Sequence, residues 1–198
     1  MIRTPRPAPP PVDAALLSRA RRGDRQAHAE LYRAFAPSVY TLARRMLASA
    51  SLAEDVLQET FVEVLRKIGG YRGDADVAFW IKRIAINKCL MHLRSGWSAR
   101  RSPMPDVETL AAPARADGVD RQIALDAALA QLSDTARVVV WLHDVEGYTH
   151  GEIARLMHRT ASFSKSQLAR AHEHLRSLLH EATDETVTST CVHVRKTC

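Results

Sequence analysis

The 198-residue sequence contains few cysteines, few aromatic residues and no long apolar run. Its three cysteines, Cys89, Cys191 and Cys198, form no CxxC pair and leave an odd thiol, which argues against the disulfide framework of a secreted protein. No apolar run approaches the roughly 18 residues of a membrane span, and the amino-terminal residues lack the apolar core of a signal peptide. We therefore expect reduced thiols, no membrane insertion and a cytoplasmic location.

The short motifs of common enzyme classes are also missing. The sequence has no GxxxxGK phosphate loop followed by Ser or Thr, no GxSxG nucleophile elbow and no HExxH metal motif. Six histidines between residues 143 and 180 fall on different helix faces and are predicted to be solvated surface. Cys191, His193 and Cys198 share a short polar tail and give only a weak metal signal. We predict no enzymatic activity, no cofactor and no metal site.

Positive charge is concentrated in the first half of the chain. The formal net charge is +6, with 46% hydrophobic and 25% charged residues, a composition typical of folded soluble domains. Residues 12–100 carry 15 basic and 9 acidic side chains, whereas residues 122–180 carry 6 of each. This asymmetry favours a polyanionic partner that is contacted mainly through the first half.

Apolar residues recur at helical spacing in two stretches separated by a segment rich in proline and glycine. The pattern predicts an all-α fold of two small helical domains joined by a flexible linker, with four or five helices in the first. The expected divisions are a disordered tail at 1–12, a first domain at 13–94, a linker at 95–121, a second domain at 122–180 and a flexible tail at 181–198. Ser133 and Thr149 suit helix N-caps and Gly147 suits a helix C-terminus.

The segment Tyr148–Leu178 has the proportions of a helix-turn-helix, with a turn near Arg159–Ser162. The second helix is predicted to expose side chains able to bind base edges or phosphates, namely Ser164, Lys165, Gln167, Arg170 and His174. A plain three-helix bundle with a solvated outer face explains the same period equally well.

Two helices of the first domain carry further candidate surfaces. Trp80, Arg83 and Asn87 share one helical stripe, an arrangement suited to unpaired nucleic-acid bases, although a tryptophan at such spacing is more often a core anchor. The preceding helix shows Asp55, Gln58, Glu59 and Glu63 opposite its apolar stripe. That acidic face is either solvated or receives a basic protein partner.

Taken in order, these residues resemble the sigma-70 family of bacterial RNA polymerase sigma factors, specifically the short extracytoplasmic function (ECF) group. The likeness covers most of residues 13–94 and 122–180. AEDVLQETFVEVLRKIGGYRGDADVAFWIKRIAINKCLMHLR looks like the family's region 2, and LAQLSDTARVVVWLHDVEGYTHGEIARLM looks like the first half of region 4. Two helical units joined by a proline-containing linker are similar to the ECF layout.

The resemblance implies a promoter-specificity subunit with three kinds of site residue. The resemblance implies that the clamp helices of core polymerase are bound by Asp55, Gln58 and Glu59. It implies that the unwound minus-ten strand is captured by Tyr71, Arg72, Trp80, Arg83 and Asn87. It implies that the major groove at minus-thirty-five is bound by Ser164, Lys165, Gln167, Arg170 and His174. The implied partners are core RNA polymerase, through its clamp helices and flap, promoter DNA and an anti-sigma factor.

Several positions depart from the family pattern. His158 replaces the usual turn glycine and Gln167 the usual arginine, while Ile86 and Met91 occupy region 2 positions that usually hold Arg and Asp. Because the recognition helix is altered, two alternatives stay open. These are a helix-turn-helix regulator and a polymerase-interacting protein that is not an initiation subunit.

Overall fold

The computed structural model of the protein describes the backbone of residues 12–73, 75–99 and 127–193, and their side chains except at 95–99 and 179–193. Throughout these residues the secondary structure is helical, with no strand, as the sequence predicts. The chain divides into two compact units, Met1–Asp106 and Val107–Cys198. No helix within the described ranges has the length and apolar character needed to span a membrane.

The described residues of the first unit form four helices, and short polar side chains fix where these helices begin. Helix α1 spans Ala14–Arg21, α2 Arg25–Leu47, α3 Ala50–Lys67 and α4 Val77–Ala99, and a 3-10 turn at Ile68–Gly70 follows α3. Asp13, Asp24 and Ser49 accept hydrogen bonds from backbone N–H groups in the first turns of α1, α2 and α3. Asp13 is the residue at which the sequence predicted ordered structure to begin.

Helices α2, α3 and α4 pack against one another around an apolar core. The predicted stripe of α2 is buried at Leu31, Phe35, Val39, Leu42 and Met46. Leu52 and Leu65 belong to the apolar pattern of α3 but are 37% and 40% exposed, because the inward stripe runs through Ala53, Val56, Thr60 and Val64. Cys89 of α4 is fully buried, and burial raises the pKa of its thiol to about 12.

The second unit is a smaller helical bundle. Helix α5 spans Asp134–Val140 and continues as a π-helical segment at Trp141–Val145, α6 spans His150–Met157 and α7 spans Ala161–His193. Residues 127–130 are also helical. Helices α5 and α6 both pack against α7, and the core includes Val138, Leu142, Ile153, Leu168 and Ala171.

Three predicted boundaries differ from the observed helices. Helix α4 continues to Ala99, five residues into the expected linker, while residues 100–126 of that linker and second domain lie outside the described residues. Helix α7 begins at Ala161, inside the predicted turn, and extends to His193, although a flexible tail was expected from residue 181. No proline or glycine occurs between residues 161 and 193 to end the helix. Residues 1–11 and 194–198 lie outside the described residues.

Candidate functional site

The acidic face of α3 is only partly available to a partner. Asp55 and Gln58 are exposed, as predicted. Glu59 is instead engaged with helix α4, because its Oε1 lies 3.2 Å from Nε2 of His92 and its Oε2 lies 3.5 Å from Nζ of Lys88. Glu63, also predicted on this face, pairs with Nζ of Lys67 at 2.5 Å and with a guanidinium nitrogen of Arg66 at 2.9 Å. Asp55 and Gln58 are therefore the members of the predicted face with no such pairing among the described side chains.

An apolar side chain extends this face. Val62 is 68% exposed and lies four residues after Gln58, so the two share one side of α3. Val62 was not among the predicted site residues, although its place outside the inward stripe of α3 can be seen in the sequence. Together, Asp55, Gln58 and Val62 form a surface in which a carboxylate, an amide and an apolar group follow one another along a helix.

Two aromatic residues predicted to act together are in contact. The rings of Tyr71 and Trp80 have centroids 5.2 Å apart with planes inclined by 40°. Tyr71 follows the 3-10 turn, and its hydroxyl donates a hydrogen bond to the carbonyl oxygen of Ala75. Asp76 then caps α4 by accepting from the N–H of Ala78 at 2.7 Å. Both residues are partly exposed to solvent.

Cationic and amide side chains lie on the same loop and helix as the aromatic pair. Arg72 is exposed in the loop, and Arg83 and Asn87 are exposed on α4, one and two turns after Trp80. The structure thus places the predicted strand-binding residues along one continuous run of loop and helix. Met91, another turn along, is also exposed. It occupies the end of the same stripe.

One cation at this surface was not predicted. Arg21, the last residue of α1, donates a hydrogen bond from its guanidinium group to the carbonyl oxygen of Tyr71. The same guanidinium lies 5.9 Å from the centroid of the Tyr71 ring. The two residues are 50 positions apart, so no local pattern in the sequence indicated the contact.

The second unit contains the predicted helix-turn-helix, formed by α6, residues 158–160 and α7. Thr149 starts α6 with a capping box, in which its side chain accepts from the N–H of Glu152 while that carboxylate accepts from the N–H of Thr149. His158 ends α6 in the left-handed conformation, with φ 53°. This residue therefore performs the backbone role of the turn glycine that it replaces.

Four of the five predicted recognition residues face outward. Lys165, Arg170 and His174 are exposed and Gln167 is partly exposed. The prediction for Ser164 was wrong, since this residue is 1% exposed. Its position, four residues before the buried Leu168, puts it on the inward stripe of α7.

A histidine cluster joins the three elements of this unit. His143 and His150 stack with ring centroids 4.5 Å apart, and Nδ1 of His150 lies 3.0 Å from Oγ of Ser164. Asp144 joins Nδ1 of His143 at 2.8 Å and Nε2 of His172 at 2.6 Å. Three of the six histidines predicted to be solvated, His143, His150 and His172, are thus partly buried and in contact with other side chains, although they lie on different elements.

The environment of His150 favours its neutral form. Burial lowers the pKa of His150 first, and the positive charges of His143 and Lys165 lower it further, while Asp144 acts in the opposite direction. Within the described ranges no group of three or more His, Cys, Asp or Glu side chains is arranged to hold a metal ion. The side chains of Cys191, His193 and Cys198 lie outside the described residues.

Comparisons with known proteins give the same division of the chain. Residues 31–99 match the family described as Sigma-70 region 2, and residues 122–175 match the family described as Sigma-70, region 4. All the site residues predicted for the first domain fall within the first match, and those predicted for the second fall within the other.

Individual relatives cover both units. The chain is 34% identical over 167 residues to the ECF RNA polymerase sigma factor SigM of Mycobacterium tuberculosis, with 84% of each chain covered. It is 30% identical over 189 residues to the RNA polymerase sigma-H factor of Pseudomonas aeruginosa, covering 86% of this chain and 97% of that one. The fold resembles that of the sigma factor RpoE from Bartonella quintana, solved with the anti-sigma factor NepR. That similarity has a TM-score of 0.52 at 24% identity and covers 73% of this chain and 91% of that one.

Proposed function

The chain belongs to the sigma-70 family, in the ECF group of RNA polymerase sigma factors, and from this premise we propose which of its surfaces contact the polymerase and the promoter. It is a promoter-recognition factor for transcription initiation. The observation that carries this conclusion is that region 2 and region 4 occur together in one chain. A helix-turn-helix regulator is not favoured, since it would account for the second unit alone.

The aromatic pair is the proposed site of minus-ten strand capture. Tyr71 and Trp80 offer ring faces on which unpaired bases can stack, a contact that accepts any base. Arg72 and Arg83 supply positive charge for the phosphates, and Asn87 supplies an amide that can bond base edges. The contact between the two rings supports this proposal, because it puts the loop and α4 at one location.

The exposed face of α3 is the proposed docking surface for the polymerase clamp helices. Asp55 offers a carboxylate for charge-assisted hydrogen bonds, Gln58 an amide and Val62 an apolar contact. Glu59 contributes chiefly by holding α3 to α4, which keeps the face in position. Of the three polar residues predicted to bind core polymerase, the proposal therefore keeps Asp55 and Gln58 as direct contacts.

Helix α7 is the proposed reader of the minus-thirty-five element. Lys165 and Arg170 are its phosphate or base contacts, Gln167 can bond an adenine edge, and His174 lies further along the helix. Ser164 is buried and, through its contact with His150, fixes the start of α7 rather than contacting DNA.

Further partners and the place of action follow from the same premise. We infer that an anti-sigma factor holds the free chain, by analogy with the Bartonella quintana factor that was solved with one. We also infer that the chain acts in the cytoplasm, where polymerase and chromosome are found, and that the polymerase supplies all catalysis.

Transcription in vitro tests the function directly. Core RNA polymerase from the source organism is incubated with genomic DNA, with and without the purified chain, and the 5′ ends of the transcripts are sequenced. A sigma factor produces defined start sites that share two upstream elements and that appear only when the chain is present. Binding to core polymerase without such start sites would identify an interaction protein, and DNA binding without core binding would identify a regulator.

A further inference from the structure

Helix α1 is held firmly against the rest of the first unit. Nε of Arg19 lies 2.7 Å from Oδ2 of Asp24, and the ring of His28 bonds the carbonyl oxygen of Ala20 at 2.8 Å. Helix α1 also packs on the 3-10 turn that precedes the Tyr71 loop. The end of α1, and the backbone of Arg21 with it, therefore has a fixed location next to that loop.

Arg21 contacts Tyr71 in two ways. Its guanidinium group donates to the backbone carbonyl of Tyr71 and also lies against the aromatic ring. The hydrogen bond fixes where the loop leaves the 3-10 turn, and the ring contact limits the directions in which the side chain can point. Because Tyr71 is also in contact with Trp80, a constraint on Tyr71 acts on the aromatic pair.

The loop between the 3-10 turn and α4 includes exposed residues and a glycine in the left-handed region. Gly73 adopts φ 85°, a conformation open to glycine at no steric cost, and Arg72 and Ala75 are exposed. The described contacts at its two ends are the Tyr71 hydroxyl on Ala75 and the Asp76 cap of α4. Removal of the Arg21 side chain would take away both contacts that join the start of the loop to α1.

We propose that Arg21 is a positioning residue for minus-ten strand capture, one that holds Tyr71 beside Trp80 before DNA arrives. A platform ordered in advance binds more tightly because the strand need not order it. Arg21 precedes residue 31, where the match to the region 2 family begins. The contact is therefore supplied by α1, outside the matched region, and rests on the strand-capture function proposed above.

Arg22 provides a matched control. It is the next residue, carries the same charge, is exposed, and donates a hydrogen bond to Oγ of Ser18 in α1 at 2.7 Å. Arg21→Ala and Arg22→Ala therefore remove the same charge from adjacent positions, but only the first removes the contacts with Tyr71. Arg21→Lys keeps the charge and a donor while it loses the planar guanidinium group.

The test uses holoenzyme reconstituted from core polymerase and each full-length variant. Binding of a fluorescent single-stranded oligonucleotide that carries the minus-ten sequence is measured by anisotropy, and core affinity is measured separately. Arg21→Ala is expected to weaken strand binding by about 3- to 10-fold with core affinity unchanged, as expected from disordering one side chain and its loop. Arg22→Ala is expected to stay close to wild type, and Arg21→Lys to recover part of the loss.

Hydrogen exchange of the loop amides in the free chain gives a readout that does not depend on DNA. Faster exchange at residues 71–73 in Arg21→Ala, but not in Arg22→Ala, supports positioning. Equal losses of strand binding in the two alanine variants would show that charge alone matters and would overturn the proposal, as would wild-type binding by Arg21→Ala. Failure of the wild-type holoenzyme to bind the strand at all would instead overturn strand capture itself.

Discussion

The carboxylate of Glu59 on α3 lies 3.2 Å from Nε2 of His92 on α4, so an acidic residue next to the proposed docking surface joins two helices of the core. Lys88 approaches the other carboxylate oxygen at 3.5 Å. Asp55, four residues earlier, is exposed and has no ion pair among the described side chains. These two acids therefore have different roles, and substitution separates them.

Asp55→Lys is expected to lower affinity for core polymerase by at least about tenfold, since it replaces a charge-assisted contact by repulsion from a basic partner. The melting temperature should stay within about a degree of wild type, as is typical of surface substitutions. Glu59→Lys should behave differently and lower the melting temperature, because it places a cation beside Lys88. Glu173→Lys makes the same charge change on exposed α7 and serves as the control. Wild-type core binding by Asp55→Lys would remove this face from the docking surface.

Trp80→Ala is expected to weaken binding of the minus-ten strand by about 5- to 150-fold, the effect of losing about 1 to 3 kcal/mol of base stacking. Trp80→Phe should retain most of the affinity because it keeps an aromatic face beside Tyr71. Permanganate footprinting of the open complex measures strand capture, and thermal melts measure the stability of the variant. A loss of activity that follows only the loss of folded protein would identify Trp80 as a core residue instead.

Lys165→Ala and Arg170→Ala are each expected to lower occupancy of a minus-thirty-five element by the holoenzyme. If each cation contacts one phosphate, the slope of log affinity against log salt should become shallower by about one unit per substitution. Glu173→Ala, an exposed acid on the same helix, should not lower occupancy. Titrations at several salt concentrations measure both quantities, and unchanged slopes in both cation variants would exclude α7 as the recognition helix.

His158→Gly is expected to stabilise the second unit by about 1 kcal/mol, because a side chain is unfavourable in the left-handed conformation that residue 158 adopts. His158→Ala should give no such gain, since alanine also carries Cβ. Hydrogen exchange of the α6 and α7 amides in the full chain reports the stability of this unit alone. Ala48→Gly, at the left-handed end of α2, provides a parallel case in the first unit. Equal stability of the Gly and Ala variants at residue 158 would contradict the strain argument.

The stability of the second unit is expected to fall as pH drops below about 6.5, the ordinary pKa of histidine. Burial holds the pKa of His150 below that value in the folded state, with His143 and Lys165 acting in the same direction and Asp144 opposing them. The unfolded chain therefore binds more protons in this window, so the stability present above pH 6.5 is lost toward the lower folded pKa. Exchange of the α6 amides between pH 5.5 and 7.5 measures the loss. His150→Gln should make it smaller, and an identical pH profile in the variant would assign the effect to another group.

Local patterns predicted much of the fold. The apolar period of α2, the N-caps Ser133 and Thr149, and the left-handed Gly147 depend on interactions within a few residues, and all are observed. The order of the motifs also predicted the family. Each of these features is specified by a short stretch of sequence, so each could be predicted without the structure.

Contacts between distant residues were not predictable in this way. Glu59 and His92 are 33 positions apart and Asp144 and His172 are 28 apart, so their pairing depends on how the helices pack. The π-helical segment at Trp141–Val145 was read as ordinary helix, because its hydrogen-bond register leaves no mark on the apolar period. Ser164 was predicted to be exposed because it is polar, but its position four residues before Leu168 places it on the inward stripe of α7.

Cys89 has a consequence for the chemistry of the first unit. Its sulfur is fully buried between packed helices, and with a pKa of about 12 almost none of it is thiolate at neutral pH. Oxidants and alkylating reagents therefore reach it only in molecules whose α2–α3–α4 bundle has opened. The modification rate of this thiol therefore reports how often the bundle opens. An intact bundle protects the cysteine from oxidation under oxidative stress.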